Sequence, residues 1–135
     1  MSFEAVVVGG GINGLCTAKS LREAGLKKIA LIEANHVGNI EGSSHGSSRI
    51  TRSAYSDDLF VRMMQYTHQN EWPKLEQDLK MQLLHPCKGL FFGEKSGHIN
   101  KYAEAVQKSG ADVFPITHKQ ALEIFPQFRL GKKDL

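Results

Sequence analysis

Apolar positions along the chain change period several times, and each change predicts an element. Phe3 to Val8 is an almost continuous apolar run rich in valine, the pattern of a buried parallel strand. Glycines follow at 9, 10, 11 and 14, and Leu15, Ala18, Leu21 and Ala24 then recur at helical spacing up to a C-terminal Gly25. Ile29 to Glu33 is a second apolar strand with an acid at its carboxyl end. Together these segments predict a βαβ unit. Residues 34–48, rich in Gly, Ser, Asn and His, predict a loop, long enough to suggest a functional one.

Beyond that loop the period returns to helical. Ser56-Asp57-Asp58 reads as a helix start with acids at the positive end of the dipole. Phe60, Met64, Thr67, Trp72, Leu75 and Leu79 trace one face of a long helix, which Pro73 must kink or split. Leu83 to His85, Gly89 to Gly93 and Asp112 to Ile116 read as strands. Ile99, Tyr102, Ala103 and Val106 predict a helix ending at Gly110. Thr117 with Gln120 predicts a capping box for a short helix that stops before Pro126. The composition shift near Leu83 divides the chain into residues 1–82, the βαβ part, and residues 83–135, a mixed part.

Composition narrows the class. The chain has 135 residues, 41% hydrophobic and 23% charged, which suits one soluble globular domain. Its formal charge of +3 is scattered, with pairs such as Lys27-Lys28 and Lys132-Lys133 rather than a basic stripe, so no nucleic-acid partner is expected. No apolar run approaches a membrane span, and no basic secretory n-region opens the chain. Cys16 and Cys87 form no Cys-x-x-Cys pair and are expected to be buried thiols in an intracellular protein. Six histidines show no ligand spacing, so no metal is expected.

The chemistry lies in the first third of the chain. Gly9 to Gly14 fits G-x-G-x-x-G, with a strand before it and a helix after it. Its first glycine permits the tight turn, its second lets the backbone approach a pyrophosphate, and its third lets helix pack on strand. Glu33 follows about 20 residues later, where a carboxylate accepts hydrogen bonds from ribose hydroxyls. Gly9, Gly11, Ile12, Gly14 and Glu33 are therefore candidate dinucleotide-binding residues. The motif alone does not separate FAD from NAD. Gly42 to Gly46 also fits the G-x-S-x-G elbow of hydrolases, but Gly38 to Glu41 before it is poor strand material, and a chance match is the better explanation.

The segment Gly42-Ser43-Ser44-His45-Gly46-Ser47-Ser48-Arg49-Ile50-Thr51-Arg52-Ser53-Ala54-Tyr55 is the most informative. With the glycine motif, with Leu59 to Met64 and with Gly89-Leu90-Phe91-Phe92-Gly93, it resembles the amine oxidases of the monomeric sarcosine oxidase family, and among them the peroxisomal sarcosine and pipecolate oxidases. The resemblance implies an α/β fold: a Rossmann-like FAD-binding βαβ unit, here an incomplete doubly wound sheet, followed by the start of an α+β substrate domain. It implies FAD as cofactor and oxidation of a secondary amino acid to an imine, with oxygen reduced to hydrogen peroxide.

By the same resemblance, Ser43, Ser44, Ser48 and Arg49 contact the cofactor, His45 lies nearby, and Arg52 meets the substrate carboxylate. The residues agree in kind, since an Arg fork binds a carboxylate through two charge-assisted hydrogen bonds. The expected partners are a small secondary amino acid and oxygen. The compartment is peroxisomal for a full-length eukaryotic protein and cytoplasmic otherwise, although the final residues do not form the peroxisomal import tripeptide. The covalent flavin cysteine and most of the substrate pocket lie later in that family, so the chain reads as an N-terminal fragment, inactive alone. The alternatives are a non-catalytic dinucleotide-binding or regulatory module and a nicotinamide-dependent dehydrogenase, the latter disfavoured by the Gly42 to Tyr55 segment.

Overall fold

The computed structural model describes residues 2–94 and 97–131; the Lys132-Lys133 pair and the end of the chain lie outside the described residues. Two compact units are present, residues 1–50 and residues 51–135. The first unit ends at Ile50, and the composition shift near Leu83 falls inside the second.

The first unit is the expected βαβ. Strand β1 (Ala5–Val8) leads through the glycine turn into helix α1 (Ile12–Glu23), which returns to strand β2 (Ile29–Ile32). The strands pair in parallel, Ala5 with Ile29 through Val8 with Ile32. Glu4 sets this register from below: its Oε2 accepts from the Lys27 and Lys28 amides at 2.8 and 2.7 Å. Those two bonds hold its carboxyl below the usual carboxylate range, the Lys28 amide contributing most.

Helix α1 ends as the sequence predicts. Gly25 adopts φ +101°, while the Gly25 and Leu26 amides donate to Arg22 and Leu21 carbonyls at 3.0 and 3.2 Å. This is the left-handed cap that closes a helix with two bonds. Val7 is buried, whereas Val6, Val8 and Ile32 are exposed, so only one face of the strand pair is covered. Cys16 and Cys87 are both exposed, against expectation. Leu15 and Ala24 of the expected α1 stripe are exposed as well, whereas Ala18 and Leu21 are half-buried.

The second unit is helical. Asp57, rather than Ser56, caps α2 (Asp58–Tyr66) by accepting from the Leu59 amide at 2.8 Å. A π-helical turn (Thr67–Glu71) follows, and then α3 (Trp72–Leu79). Pro73 explains the break: it has no N–H, and its ring would meet the carbonyl four residues back. The wider turn removes that clash, with the Trp72 amide donating to the Thr67 carbonyl and the Asn70 side chain taking the Tyr66 carbonyl at 2.9 Å. The fully buried position on this face is Val61, beside Ala105 and Val106 of α4 (Ile99–Ser109); Phe60 and Leu79 of the expected stripe are exposed. Asp58 draws α4 to α2 by accepting from Lys108 at 3.3 Å and also pairs with Arg62 at 2.9 Å. Helix α4 stops at Gly110 in the left-handed region, and α5 (His118–Ile124) begins with the expected Thr117–Gln120 capping box.

Among the described residues, the three further expected strands do not form. The Leu83 and Leu84 amides donate to the Glu76 carboxylate at 2.6 and 2.7 Å, so a side chain takes the place of a strand partner. In 89–93 the aromatic residues that suggest a strand anchor other elements: Phe91 packs on Tyr102 at 4.4 Å and Phe92 on Phe128 at 5.9 Å between ring centroids. In 112–116 a tight turn intervenes, the Val113 amide bonding the Ala111 carbonyl at 2.7 Å.

The carboxylates of this unit predict its acid response. The Leu84 and Leu83 amides depress Glu76, and the Lys108 ammonium depresses Asp58. A depressed carboxyl contributes stability that is complete above its ordinary value, 4.5 for Glu76 and 3.8 for Asp58, and that is lost as pH falls through the lower folded value. Fluorescence of Trp72, the sole tryptophan, should therefore hold steady at neutral pH and change below about pH 4.5. Glu76→Gln, which resembles the protonated state, should lower stability at pH 7 and flatten that acid transition. An unaltered transition would mean that Glu76 does not hold the chain after α3.

Candidate functional site

The site in the first unit is built where both strands end. Gly9 continues the ladder, its amide donating to the Ile32 carbonyl at 2.7 Å, and then turns with φ +102°. Gly14 packs so closely that a Cβ there would lie 1.8 Å from the Gly9 carbonyl oxygen. No side chain fits, which is the reason for glycine at the third motif position. The tight crossing brings the N-terminus of α1 to the end of the sheet, where free amides and the helix dipole favour an anion.

Glu33 reaches this turn. Its Oε2 accepts from the Gly10 amide at 2.5 Å and its Oε1 from the Asn35 amide at 3.2 Å. These bonds, the Gly10 one foremost, hold its carboxyl below the usual carboxylate range, so it is ionised at neutral pH. A Cβ on Gly10 would lie 2.9 Å from Glu33 Oε2, so this glycine too makes room for the contact. An ionised carboxylate has about four acceptor positions, and the backbone amides around Glu33 do not take all of them. The remaining lone pairs suit ribose hydroxyls, and the same negative charge repels a 2′-phosphate.

Ser44 closes the site from the loop. Its hydroxyl accepts from the Ile12 amide at 3.0 Å and lies 3.1 Å from where a Cβ on Gly11 would stand. It thus caps α1 from a distant part of the chain, at an amide that a phosphate oxygen can also take. No strand precedes Ser44 and no helix follows it, so the hydrolase elbow is not built. Ser43, His45, Ser48 and Arg49 lie on the exposed loop and take no part in the contacts that define the turn. Gly9, Gly11, Ile12, Gly14, Glu33 and Ser44 are the residues brought together. Gly10 is the participant that motif reasoning passed over; its position opposite a strand-end acid was the available signal.

Arg52 belongs to the second unit. Its Nε donates to the Ala54 carbonyl at 3.2 Å, and its guanidinium stands 5.1 Å from the centre of the Tyr55 ring. Such a cation–π contact holds the head group in one direction. Tyr55 in turn packs against the Val61, Ala105 and Val106 cluster. Among the described residues, no cluster of His, Cys, Asp or Glu could hold a metal ion, and no helix is long and apolar enough to cross a membrane.

A parallel βαβ unit with a glycine turn, a helix N-terminus beside that turn and an ionised acid at the end of the second strand defines a dinucleotide-binding protein. Comparison with known proteins places it more closely. The family profile for FAD dependent oxidoreductase matches residues 4–134, and the chain belongs to this family, whose cofactor is FAD. Mouse peroxisomal sarcosine oxidase is 31% identical over 98% of this chain, and the human protein of the same name is 32% identical over the same share. In each case the chain spans about a third of the relative, 34% of its length. Among solved structures, a mutant of NikD, an unusual amino acid oxidase essential for nikkomycin biosynthesis, aligns with a TM-score of 0.69 and 26% identity, over 90% of this chain and 32% of that one. The Rossmann-like α/β class expected from the sequence is thus the class observed.

FAD fits the residues present: a glycine cradle with no space for side chains, backbone donors at the start of α1, and a carboxylate with spare acceptor positions. Glu33→Ala in the full-length protein should weaken FAD binding roughly tenfold to a hundredfold, read as flavin retained after dialysis before any covalent attachment. Gly14→Ala should abolish retention altogether, since the added methyl forces α1 off β1. Unchanged retention in Glu33→Ala would remove that carboxylate from the ribose.

Proposed function

We propose that this chain supplies the adenosine-binding corner and the substrate-carboxylate arginine of an FAD-dependent oxidase acting on secondary amino acids such as sarcosine or pipecolate. The observation that carries the reading is the ionised Glu33 carboxylate at the glycine turn, in a chain of the FAD dependent oxidoreductase family. The relatives named sarcosine oxidase favour the substrate class. In this reading residues 1–82 belong to the FAD-binding domain and residues 83–135 begin the substrate domain.

Gly9, Gly11, Ile12, Gly14 and Glu33 bind the ADP half of the cofactor. Ser43, Ser44, Ser48 and Arg49 would contact the same cofactor, the Ser44 hydroxyl from its place on the Ile12 amide. His45 and Arg49 would lie toward the reacting end, where a guanidinium would favour the negative charge that the cofactor takes up. FAD, when bound, supplies the two-electron acceptor. Arg52 binds the substrate carboxylate with two N–H donors and so fixes which carbon is presented for oxidation. The amino acid gives up two electrons and two protons to become an imine, which water hydrolyses, and oxygen finally takes up two electrons and two protons to become hydrogen peroxide. The eukaryotic relatives favour a peroxisomal or other intracellular setting.

Residues 1–135 alone should be inactive, because the strand pair is covered on one face and the substrate pocket needs more than one arginine. A non-catalytic dinucleotide-binding module is the second reading, favoured by the completeness of the glycine turn beside a two-stranded sheet. Flavin absorbance and peroxide release, recorded for residues 1–135 and for a full-length protein carrying them, decide between the two. The oxidase reading predicts peroxide with sarcosine or pipecolate from the full-length protein only. FAD bound by the full-length protein without peroxide from any secondary amino acid would favour the module.

Arg52→Lys keeps the charge and loses the two-pronged geometry. In the full-length protein, kcat/KM for the amino acid should fall about tenfold to a hundredfold, and an amine without the carboxylate should be little affected. Equal losses on both would mean that Arg52 acts on the cofactor or the fold.

A further inference from the structure

Arg52 does not stand on an independent loop. The residues on either side of it, Thr51 and Ser53, both bond one imidazole, that of His68 in the π-helical turn. Thr51 Oγ1 meets His68 Nε2 at 2.8 Å, and Ser53 Oγ meets His68 Nδ1 at 3.1 Å. Two bonds to one ring tie the residues before and after Arg52 to the same side of the segment. Burial agrees: Thr51, Ser53 and His68 are half-buried, and Arg52 between them is exposed. A neutral imidazole has one donor and one acceptor, and each hydroxyl can play either part, so both ring nitrogens are satisfied.

From this geometry we infer that His68 is a positioning residue for Arg52: by clamping Thr51 and Ser53 it turns the arginine outward and sets the direction in which its guanidinium meets a carboxylate. The bond from Arg52 Nε to Ala54 and the Tyr55 ring fix the far side of the same short segment, so the arginine is held from both ends. Only one of its five N–H donors is spent on the Ala54 carbonyl. The π turn gives this arrangement its origin. The widened turn ahead of Pro73 contains His68, so the residue that breaks the helix also shapes the local backbone that presents the clamp. The inference rests on the reading of Arg52 as the group that binds the substrate carboxylate.

The test uses the full-length protein carrying this chain, with His68→Ala, His68→Gln, His68→Asn, Arg52→Lys and the double variant Thr51→Val with Ser53→Ala. Kinetics compare pipecolate or sarcosine with piperidine or dimethylamine, which lack the carboxylate, and calorimetry measures binding of cyclohexanecarboxylate. His68→Ala should raise both the amino-acid KM and the cyclohexanecarboxylate Kd about tenfold, while kcat, the amine KM and bound FAD stay within about twofold. His68→Gln and His68→Asn each keep one ring-nitrogen equivalent and should recover part of the loss. The double variant, with His68 intact, should reproduce the carboxylate-selective effect, and it decides the matter by the same criteria if His68→Ala does not fold. Equal effects on both substrate types, or none on either, overturn the inference when Arg52→Lys still shows its selective loss. If Arg52→Lys shows no selectivity, the carboxylate reading itself falls and the role of His68 falls with it.

Discussion

The contact of Gly14 with the Gly9 carbonyl is the constraint on which the first unit depends. It lets α1 cross β1 at a separation that a methyl group would forbid. Val7 is covered as a result, and the helix N-terminus arrives where the strands end. Glu33, at the end of β2, then comes within reach of the Gly10 amide. The chemistry of the site is thus a consequence of backbone packing: an acid that would otherwise be an ordinary strand-end residue becomes an ionised acceptor beside the glycine turn.

The same device recurs away from the site. Glu4 gathers the Lys27 and Lys28 amides, and Glu76 gathers those of Leu83 and Leu84. Each carboxylate satisfies two backbone donors where the chain leaves a regular element, and each is ionised more readily for doing so. Glu33 differs in where it sits rather than in what it does. It uses one bond on the glycine turn and one on Asn35, keeping acceptor capacity at the place where a ribose would lie.

In the second unit a helix defect does the organising. Pro73 forbids a continuous α-helix, and the π turn that resolves the conflict carries His68 to Thr51 and Ser53. The segment bearing Arg52 is then held by His68 on one side and by Tyr55, on the Val61 core, on the other. A single exposed side chain, Arg52, is thus bracketed by partners on both sides of it in the sequence.

Whatever rests on local backbone rules was legible in the sequence. The glycine turn, the caps at Gly25 and Gly110 and the Thr117–Gln120 box each depend on residues close in the chain, whose conformational demands are set by their own chemistry, and the βαβ order and Glu33 follow from motif spacing. The break at Pro73 was legible for the same reason, though its form as a π turn was not. Tertiary structure decided the rest. Leu83 to His85 and Gly89 to Gly93 have strand-forming residues, but a strand needs a partner, and Glu76 and the aromatic contacts claimed those segments first. Val61 displaced Phe60 as the buried position because α4 approaches that side of α2. Ser44 on the Ile12 amide and His68 between Thr51 and Ser53 join residues far apart in the chain, with no periodicity to announce them. Hydrogen bonds between distant side chains exist only once the backbone has brought them together, and so only the folded chain could show them.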